Sequence, residues 1–365
     1  MAHKTLVDST EYEVTGGLTL VEGTSYSIKN GKVLVDGTEY DISFLLPPAV
    51  LNLWGNNYNP NQINCIAYAN GYWVVGGQYR LGDTYCARIA YTTNLDGTWT
   101  TNDVWSAGNT YNTINCITYA NGCWVVGGQS KASALGSYYA RIAYATSLDG
   151  TWTTKNLWGT SSVSGQVDNI HCITYTNGYW VAGGCCYDSG PCYARIAYTT
   201  NLDGTWTTKD LWSSNNYYNQ INCITYANGY WVAGGEYFTG STYYARIAYA
   251  TSLDGTWTTK NLWDTPSSGI TCITYANGYW VVGGQYYDGS TYYARIAYTA
   301  SPDGTWTTND VWGYASPSSA GIANNIHCIT YANGYWVAGG EYYASESHYA
   351  RIAYAGSPTE LGQTS

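Results

Sequence analysis

Two glutamates at one repeat position, Glu236 and Glu341, come nearest to a catalytic pair in this chain of 365 residues. Each follows a Gly-Gly pair, and glycoside hydrolysis uses two carboxyl groups, one as acid and one as base or nucleophile. The other four copies of the position are not acidic: Gln78, Gln129, Cys185 and Gln285. Because two acidic copies in six are a weak signal, the pattern favours a protein that is not an enzyme. A sialidase-like glycoside hydrolase is the alternative.

A second set of polar residues occupies the variable position of an I-x-C-I element that occurs six times. If that strand is innermost in its repeat, these side chains form a polar ring at the mouth of a central channel. The two histidines then face each other and could bind an anion, a water cluster or a metal, and ordered water is the favoured reading. We therefore predict no metal and no cofactor. The six residues are Asn64, Asn115, His171, Asn222, Thr271 and His327.

Cysteine is the third reactive residue type, with eleven copies. Six belong to the I-x-C-I element and are interpreted as small buried thiols, one in each repeat. In the third repeat, Cys185 or Cys186 could form a disulfide with Cys192. The spacing of that cluster, C-C-Y-D-S-G-P-C, matches no familiar zinc pattern.

The elements that must position these residues are tandem repeats of about 50 residues, a length typical of propellers and stacked arrays. The repeat 221–263 shows the pattern clearly. An alternating run ends at Asn228-Gly229, and Asn-Gly is a strong hairpin signal because a type I′ turn needs positive φ at both residues. Three further short strands follow. The sequence therefore predicts an all-β, six-bladed β-propeller with four antiparallel strands in each blade.

The two ends of the repeat array suggest how the ring closes. D-G-T-W occurs five times, whereas the strand ending in L-W or V-W occurs six times, and its unmatched copy is Leu53-Trp54. We expect residues near Val50 to Trp54 to supply the outer strand of the last blade, which would remove exposed sheet edges. The propeller then covers 49–354, and a loose tail covers 355–365.

Residues 1–44 contain a smaller repeat of fourteen residues, with Tyr12, Tyr26 and Tyr40 in register. Each copy reads as a short β-hairpin, and three hairpins bury too little apolar surface to fold alone. We expect this segment to anchor the protein or to form a homo-oligomer. A stiff linker with two prolines, 45–48, follows it.

Residues that recur in every repeat are interpreted as structural. All seventeen tryptophans fall at repeated positions, which indicates packing between blades. The A-R-I-A-Y arginine also recurs six times, so we expect a repeated contact with a carboxylate, a carbonyl or a tryptophan ring.

The loops that vary between repeats all lie at one end of the blades, because the nearly constant N-G and D-G-T-W turns lie at the other. Tyr, Ser, Gly and Asn dominate these loops, a composition typical of adaptable recognition surfaces. The sequence therefore predicts a ligand-binding face there. Its candidate residues are Tyr85, Tyr138, Glu236, Tyr237, Tyr286, Tyr287, Glu341, Tyr342, Tyr343 and His348.

The composition excludes several classes of partner. A net charge of −10 argues against nucleic-acid binding through phosphate contacts. There is no apolar run of 18 residues, so we predict no membrane insertion. The N-terminus lacks the apolar core of a signal peptide, which suggests a protein that stays in the cytoplasm or leaves it by another route.

The combination of Y-A-N-G, A-R-I-A-Y and D-G-T-W resembles the sialidase-like, Asp-box-type propeller repeats of bacteriophage tail-fibre and other virion proteins. The fourteen-residue units of 1–44 resemble N-terminal repeats of the same kind of protein. The chain departs from a true Asp box because Asp254 and Gly255 are adjacent and Trp257 follows sooner. It also lacks a recognisable set of sialidase catalytic residues.

The resemblance implies a virion protein of the receptor-binding type. Its propeller would bind a host cell-surface glycan or protein, and residues 1–44 would contact other virion proteins. A structural role, as a capsid-decoration or head-fibre subunit, is an alternative to receptor binding.

Overall fold

The computed structural model describes six backbone strands between His3 and Asp41, and then most of the chain from Leu51 onward. The ranges described there are 51–55, 61–106, 111–131, 138–159, 168–188, 191–214, 219–264, 268–315, 324–344 and 347–362. The predicted linker 45–48 lies outside them. The chain divides into two compact units, Met1–Asn52 and Leu53–Ser365.

The first unit contains one antiparallel sheet of six strands in sequence order. The fourteen-residue repeat is visible in it as three successive strand pairs. The strands are β1 (His3–Val7), β2 (Thr10–Thr15), β3 (Leu18–Val21), β4 (Thr24–Lys29), β5 (Lys32–Val35) and β6 (Thr38–Asp41).

The second unit is a β-propeller of six sheets. Blade one contains β7 (Gln62–Ala69), β8 (Tyr72–Leu81), β9 (Thr84–Thr92) and β10 (Thr100–Ser106). Blade two contains β11 (Asn112–Ala120), β12 (Cys123–Lys131), β13 (Tyr138–Ala145) and β14 (Thr153–Trp158). Blade three contains β15 (Asn169–Thr176), β16 (Tyr179–Tyr187), β17 (Cys192–Thr199) and β18 (Thr207–Ser214).

The remaining three blades repeat the same order. Blade four contains β19 (Gln220–Ala227), β20 (Tyr230–Phe238), β21 (Tyr243–Ala250) and β22 (Thr258–Asp264). Blade five contains β23 (Gly269–Ala276), β24 (Tyr279–Tyr287), β25 (Thr291–Thr299) and β26 (Thr307–Ala315). Blade six contains β27 (Asn325–Ala332), β28 (Tyr335–Ala344) and β29 (Ser347–Ala355). The prediction of an all-β propeller with six blades is confirmed.

The first hairpin of every blade closes through the predicted type I′ turn. Asn228 has φ 48° and Gly229 has φ 81°, and the other five Asn-Gly pairs have the same signs. Positive φ is easy for glycine and tolerated by asparagine, so the sequence itself favours this turn. The turn fixes the register in which Tyr226 pairs with Trp231.

The core lies between neighbouring blades. The first strands of consecutive blades lie against one another, so they are the innermost strands. The second-strand tryptophans Trp124, Trp180, Trp231, Trp280 and Trp336 are at most 1% exposed. Each interface therefore buries a large aromatic side chain, as the recurrence of tryptophan predicted.

Blade six differs from the other five because its sheet has three strands. The predicted closure by residues near Val50 to Trp54 is not observed. Residues 51–55 contain no strand, and Val50 lies outside the described residues.

The end of the chain also differs from the predicted loose tail over 355–365. As far as residue 362, it forms turns that pack on blade five. Leu361 is fully buried, and the Asn309 amide donates to the main-chain oxygens of Pro358 and Thr359.

Candidate functional site

The variable residue of I-x-C-I lies at a β-bulge in every blade. In blade four, for example, the pairing register shifts between Ile221 and Cys223, which leaves Asn222 as the extra residue. A bulge redirects the side chain of its extra residue. In four blades that side chain donates a hydrogen bond to an isoleucine main-chain oxygen of the next blade. The pairs are Asn64–Ile114, Asn115–Ile170, Asn222–Ile270 and Thr271–Ile326.

Two blades have histidine at this position, and each histidine has a different environment. In blade three, Nε2 of His171 lies 3.8 Å from Sγ of Cys185, and burial lowers the pKa of His171 to about 4. In blade six, Nε2 of His327 lies 3.7 Å from Oε1 of Glu341. His171 is therefore neutral at physiological pH, so one of its ring nitrogens can donate a hydrogen bond and the other can accept one.

The predicted polar ring is thus partly a set of hydrogen bonds that join blades. In the part of the chain that the structure describes, no group of three or more His, Cys, Asp or Glu residues could hold a metal ion.

A polar cavity of about 270 Å³ opens between blades four, five and six at the end that carries the variable loops. Carboxyl, amide and hydroxyl groups line it together with the ring of Tyr243. Its lining residues are Glu236, Tyr243, Ser268, Gly269, Thr271, Gln285 and Asn325. Of the sixteen predicted site residues, this cavity brings together Glu236 and Thr271.

Glu236 can line this cavity because blade five has glycine at the first position of its innermost strand. A Cβ atom at Gly269 would lie 2.6 Å from Oε1 and 2.7 Å from Cγ of Glu236. Such distances are too short for real contacts. Because glycine has no side chain, the carboxyl of Glu236 occupies that space. The equivalent residues in the other blades all have side chains: Gln62, Thr113, Asn169, Gln220 and Asn325.

The position of Glu236 is set by its own blade and by the one before. It pairs directly with Gln220 across the sheet, and its main-chain oxygen accepts a hydrogen bond of 2.9 Å from Nε1 of Trp212 in blade three. Burial raises the pKa of the Glu236 carboxyl to about 7, although the amides of Gln220 and Asn222 donate hydrogen bonds that lower it. Near neutral pH the group can therefore donate or accept a proton.

Glu341 lies in a different cavity, which contradicts the interpretation of Glu236 and Glu341 as one catalytic pair. That cavity is lined by residues from all three strands of blade six, including His327 and Arg351. The two glutamates are two blades apart, because the pattern of the repeat places them at equivalent points of different blades. No second carboxyl group lines the described cavity around Glu236.

The predicted tyrosines occupy several environments. Tyr237, Tyr286 and Tyr342 lie under the repeated arginine of their own blade, with 3.3–3.5 Å between the guanidinium carbon and the ring centre. These tyrosine faces are therefore already covered by cations.

The other tyrosines contact neighbouring side chains of the loop end. Tyr85 is buried and stacks on Tyr111 at 4.4 Å. Tyr287 stacks on Tyr292 at 4.4 Å, and Lys131 lies 4.8 Å above the ring of Tyr138. The amide of Tyr343 donates to Asn324. The side chain of His348 lies outside the described residues.

The repeated arginine makes the structural contact that the sequence predicted. Arg195 forms a bidentate ion pair with Asp210, at 2.6 and 2.9 Å. Blades one and five have the same carboxylate partner, whereas Arg141 and Arg246 donate to asparagines at the same position.

The eleven cysteines carry free thiols. Cys185, Tyr187 and Cys192 form one small buried cluster. The Cys192 thiol donates to the main-chain oxygen of Asn219, so the structure does not contain the disulfide that was left open for this loop.

The described residues form no helix of the length and apolarity needed to cross a membrane.

No protein-family model matches the chain, and no curated protein matches it. Solved structures that are similar include Trypanosoma rangeli sialidase in its covalent intermediate with 2,3-difluorosialic acid, with 10% identity and a TM-score of 0.46. That match covers 81% of this chain and 54% of the sialidase, so the chain spans about half the sialidase's length. Sqt1 from Chaetomium thermophilum is 12% identical, with a TM-score of 0.40 and coverage of 80% and 68%. A thermostable family-43 glycoside hydrolase is 11% identical, with a TM-score of 0.38 and coverage of 71% and 95%.

The fold and the site define this protein as a β-propeller with a polar cavity among the described residues of its loop end. The prediction that the protein is not an enzyme is corrected, because the similar structures include sialidases and a glycoside hydrolase. At about 11% identity this likeness concerns the fold, so any activity of this chain must be argued from its own residues.

Sequence reasoning missed Gly269, Tyr243 and Gln285 as parts of a site. One signal was present: Gly269 is the single glycine at a position where the other five blades have Gln, Thr or Asn. Its importance depends on a neighbour in another blade, which the repeat pattern alone does not reveal.

Proposed function

We propose that the protein binds a saccharide in the cavity around Glu236. The observation that carries the proposal is the carboxyl group of Glu236, with a pKa of about 7, which lines a polar cavity and fits there because Gly269 has no side chain. Sugar hydroxyls each donate and accept hydrogen bonds, and the lining offers carboxyl, amide and hydroxyl partners of both kinds.

The size and shape of the cavity support a small ligand. Its volume of about 270 Å³ lies near the lower end of small-molecule sites, which span roughly 300–1,000 Å³. Tyr243 adds an apolar ring, and that ring is held in place by Phe238 at 4.3 Å between centres. A sugar has one apolar face and many polar edges, so a site with one aromatic ring and several polar groups suits it.

The test is binding of the full chain to a glycan array, followed by titration of the best glycan with two variants. Gly269→Asn introduces a residue that blades three and six already have at this position, and its Cβ would displace the Glu236 carboxyl from the cavity wall. We expect it to weaken binding at least about tenfold, which corresponds to about 1.4 kcal/mol. Gln62→Asn changes the equivalent residue of blade one and serves as the control. Equal affinity of Gly269→Asn and wild type would refute the site.

Hydrolysis of a glycosidic bond is the second candidate, and the pKa of Glu236 favours it. A general acid works best with a pKa near the working pH, and glycosidases raise the pKa of their acid carboxyl in this way. Glu236 would protonate the leaving oxygen of a bound glycan.

Glu236→Gln separates the two candidates. Glutamine has the shape of the protonated carboxyl but cannot give up a proton, so binding at pH 6 should persist while turnover falls by about 10²-fold or more. Glu341→Gln, in the other cavity, is the control and should keep full turnover. Turnover that survives Glu236→Gln would exclude the acid role and leave the binding proposal intact.

The virion role, the host-surface partner and the anchoring of residues 1–44 are also part of the proposal, and the sequence resemblance supports them. A fluorescent full-length chain should stain intact bacteria that display the bound glycan. Free glycan should compete for the staining, and Gly269→Asn should reduce it. If Gly269→Asn stains the cells as strongly as the wild type, the protein attaches to them through a surface other than the Glu236 cavity.

A further inference from the structure

Two side chains form a hydrogen bond between the innermost strands of neighbouring blades. The extra residue at the bulge of one blade donates to the side chain two positions before the bulge of the next. Nδ2 of Asn115 donates to Oδ1 of Asn169 at 2.7 Å, and Nδ2 of Asn64 donates to Oγ1 of Thr113 at 3.0 Å. An asparagine amide can make this bond because it has two protons, and the other is donated to an isoleucine main-chain oxygen of the next blade.

The equivalent bond is not made between blades five and six. The bulge residue of blade five is Thr271, whose hydroxyl has a single proton and donates it to the main-chain oxygen of Ile326. Oδ1 of Asn325 is equivalent to Oδ1 of Asn169, yet it is buried and has no hydrogen-bond partner among the residues that the structure describes. A buried acceptor without a donor costs free energy, so this oxygen can gain from a donor that a ligand brings.

Asn325 lines the polar cavity together with Glu236. Its side chain is half-buried, so its amide can turn toward a ligand that enters the cavity. An amide oxygen and an ionised carboxyl group only accept hydrogen bonds. A sugar hydroxyl or an acetamido N–H can donate to them, whereas a carboxylate, a sulfate or an ionised phosphate of a ligand offers further acceptors.

The charges in the variable segments of blades four to six also disfavour an acidic ligand. These segments are 236–243, 264–269, 285–291, 313–324 and 341–347, and they contain no lysine, arginine or histidine. Their charged residues are all acidic: Glu236, Asp264, Asp288, Glu341 and Glu346. Segments of one sign repel ligands of the same sign.

The cations of blades four and five are used elsewhere. Arg246 and Arg295 lie over tyrosine rings of their own blades. Nζ of Lys260 donates to the main-chain oxygen of Gly304, in a D-G-T-W turn at the end opposite the variable loops. The described lining of the cavity has no lysine, arginine or histidine. A carboxylate of a ligand would therefore lie beside Glu236 without a counter-ion, which is unfavourable in a partly buried site.

We propose that the Glu236 cavity takes a neutral saccharide, which donates a hydrogen bond from a hydroxyl or an acetamido N–H to Oδ1 of Asn325, and that it excludes saccharides with an acid group on the bound unit. This inference rests on the proposed function and names the class of saccharide. Asn325 contributes to specificity because Thr271 leaves its oxygen to the ligand.

The test is binding of the full chain at pH 7 to an array that pairs each hexose-terminated glycan with its uronic-acid counterpart. The two differ by a carboxylate in place of a hydroxymethyl group. We expect the bound glycans to be neutral and their acidic counterparts to bind at least about tenfold more weakly. An acidic glycan that binds as tightly as its neutral counterpart would overturn this inference and leave the proposed function in place. An array without any bound glycan would refute the proposed function itself.

Gln285→Lys tests the role of charge by adding a cation to the cavity wall. It should raise the affinity for the acidic glycan by about tenfold, because the carboxylate gains a counter-ion. Gln62→Asn, in blade one, is the control and should bind both glycans as the wild type does. If the acidic glycan gains nothing from Gln285→Lys, charge does not exclude it and the inference is overturned.

Thr271→Asn tests the role of the Asn325 oxygen. It gives blade five the bulge residue of blades one, two and four, so the new amide should donate to Asn325 within the protein. The Tm should rise by about 2 °C, because a buried acceptor gains a donor, and the neutral glycan should bind about tenfold more weakly. Unchanged binding would show that the ligand does not use this oxygen. A Tm that does not rise would show that the oxygen already has a donor, and either result would overturn the inference.

Discussion

The indole of Trp212 donates a hydrogen bond of 2.9 Å to the main-chain oxygen of Glu236 in the next blade. The same bond recurs in the other described interfaces, for example from Trp263 to Gln285. Trp212, whose equivalents occur in the other blades, therefore hydrogen-bonds to Glu236, a residue at a position where the blades differ. In this way the regular part of the propeller positions its candidate site.

The first prediction concerns the pH dependence that Glu236 causes. Its pKa is raised from 4.5 to about 7 in the folded protein, so the unfolded state ionises first. The contribution of the Glu236 carboxyl to the free energy of unfolding is therefore fully present below about pH 4.5, and it is lost as the pH rises through 7. Glu236→Gln should remove this loss and stabilise the protein by about 1–2 kcal/mol at pH 8.

Urea unfolding at pH 4.5 and pH 8 measures this effect. Glu341→Gln is the matched control and should show the wild-type dependence. If Glu236→Gln and wild type differ equally at both pH values, the raised pKa is refuted.

The second prediction concerns Asp168, a carboxyl at a position where four other blades have asparagine. Asn219 donates to the main-chain oxygen of Cys192 and accepts from the amide of Phe238. Asp168 makes only the second kind of bond, from Tyr187, and its Oδ2 has no hydrogen-bond partner. Burial raises its pKa to about 6, although the hydrogen bonds from the Tyr187 amide and the Cys186 side chain lower it.

Asp168→Asn should therefore stabilise the protein by about 2–3 kcal/mol at pH 8, and the gain should vanish near pH 4. The sign follows from the raised pKa: the wild type loses stability as the pH rises from 4 through 6. Asn219→Asp, the reverse change in blade four, should destabilise at pH 8. Thermal unfolding at both pH values gives the answer, and a stabilisation independent of pH would contradict the explanation.

The third prediction concerns the glycine under each interblade isoleucine. Gly183→Ala places a methyl group 2.7 Å from Ile221 and 2.9 Å from the Cys172 sulfur. Overpacking of this kind should cost about 1–3 kcal/mol of unfolding free energy. Gly356→Ala has no neighbour within 4 Å and should leave the midpoint of urea unfolding unchanged. If Gly183→Ala has the same midpoint of urea unfolding as the wild type, the blades can move apart without loss of stability.

The fourth prediction concerns a lysine that joins two blades without an ion pair. Nζ of Lys209 donates to the main-chain oxygens of Asp254 and Gly255 in the next D-G-T-W turn, at 2.9 and 2.5 Å. Lys209→Met keeps the length of the side chain but loses these donors, and it should lower the free energy of unfolding by about 1 kcal/mol. Lys131→Met, at the loop end, is the control. Chemical denaturation of both variants measures the difference, and equal values would show that the lysine bonds add nothing.

Much of the fold could be predicted because its signals are local. Asn228-Gly229 specifies a type I′ turn by itself, and the alternating run before it specifies a strand. The recurrence of Trp231 and Arg246 likewise marked them as structural. The ring closure predicted from the extra Leu53-Trp54 was less secure, since pairing between distant ends depends on the whole assembly, and residues 51–55 contain no strand.

The site was harder to predict because its properties arise between blades. Glu236 stood out as an exception in the repeat, but so did Glu341, and the sequence could not tell that the two line different cavities. The tyrosines looked like a binding surface, yet Tyr237 is already covered by Arg246. A residue's type predicts what it can bind, whereas its neighbours decide what it does bind.

The sequence by itself determined the number of blades, the strand order and the turn that opens each blade, because these depend on periodicity and on backbone preferences within a few residues. Only the tertiary structure decided where a cavity opens and which carboxyl groups hold protons near pH 7. Glu236 and Gly269 are far apart along the chain and meet only when blades four and five pack. The pKa of a carboxyl follows from the water and the dipoles around it, and those are set by packing.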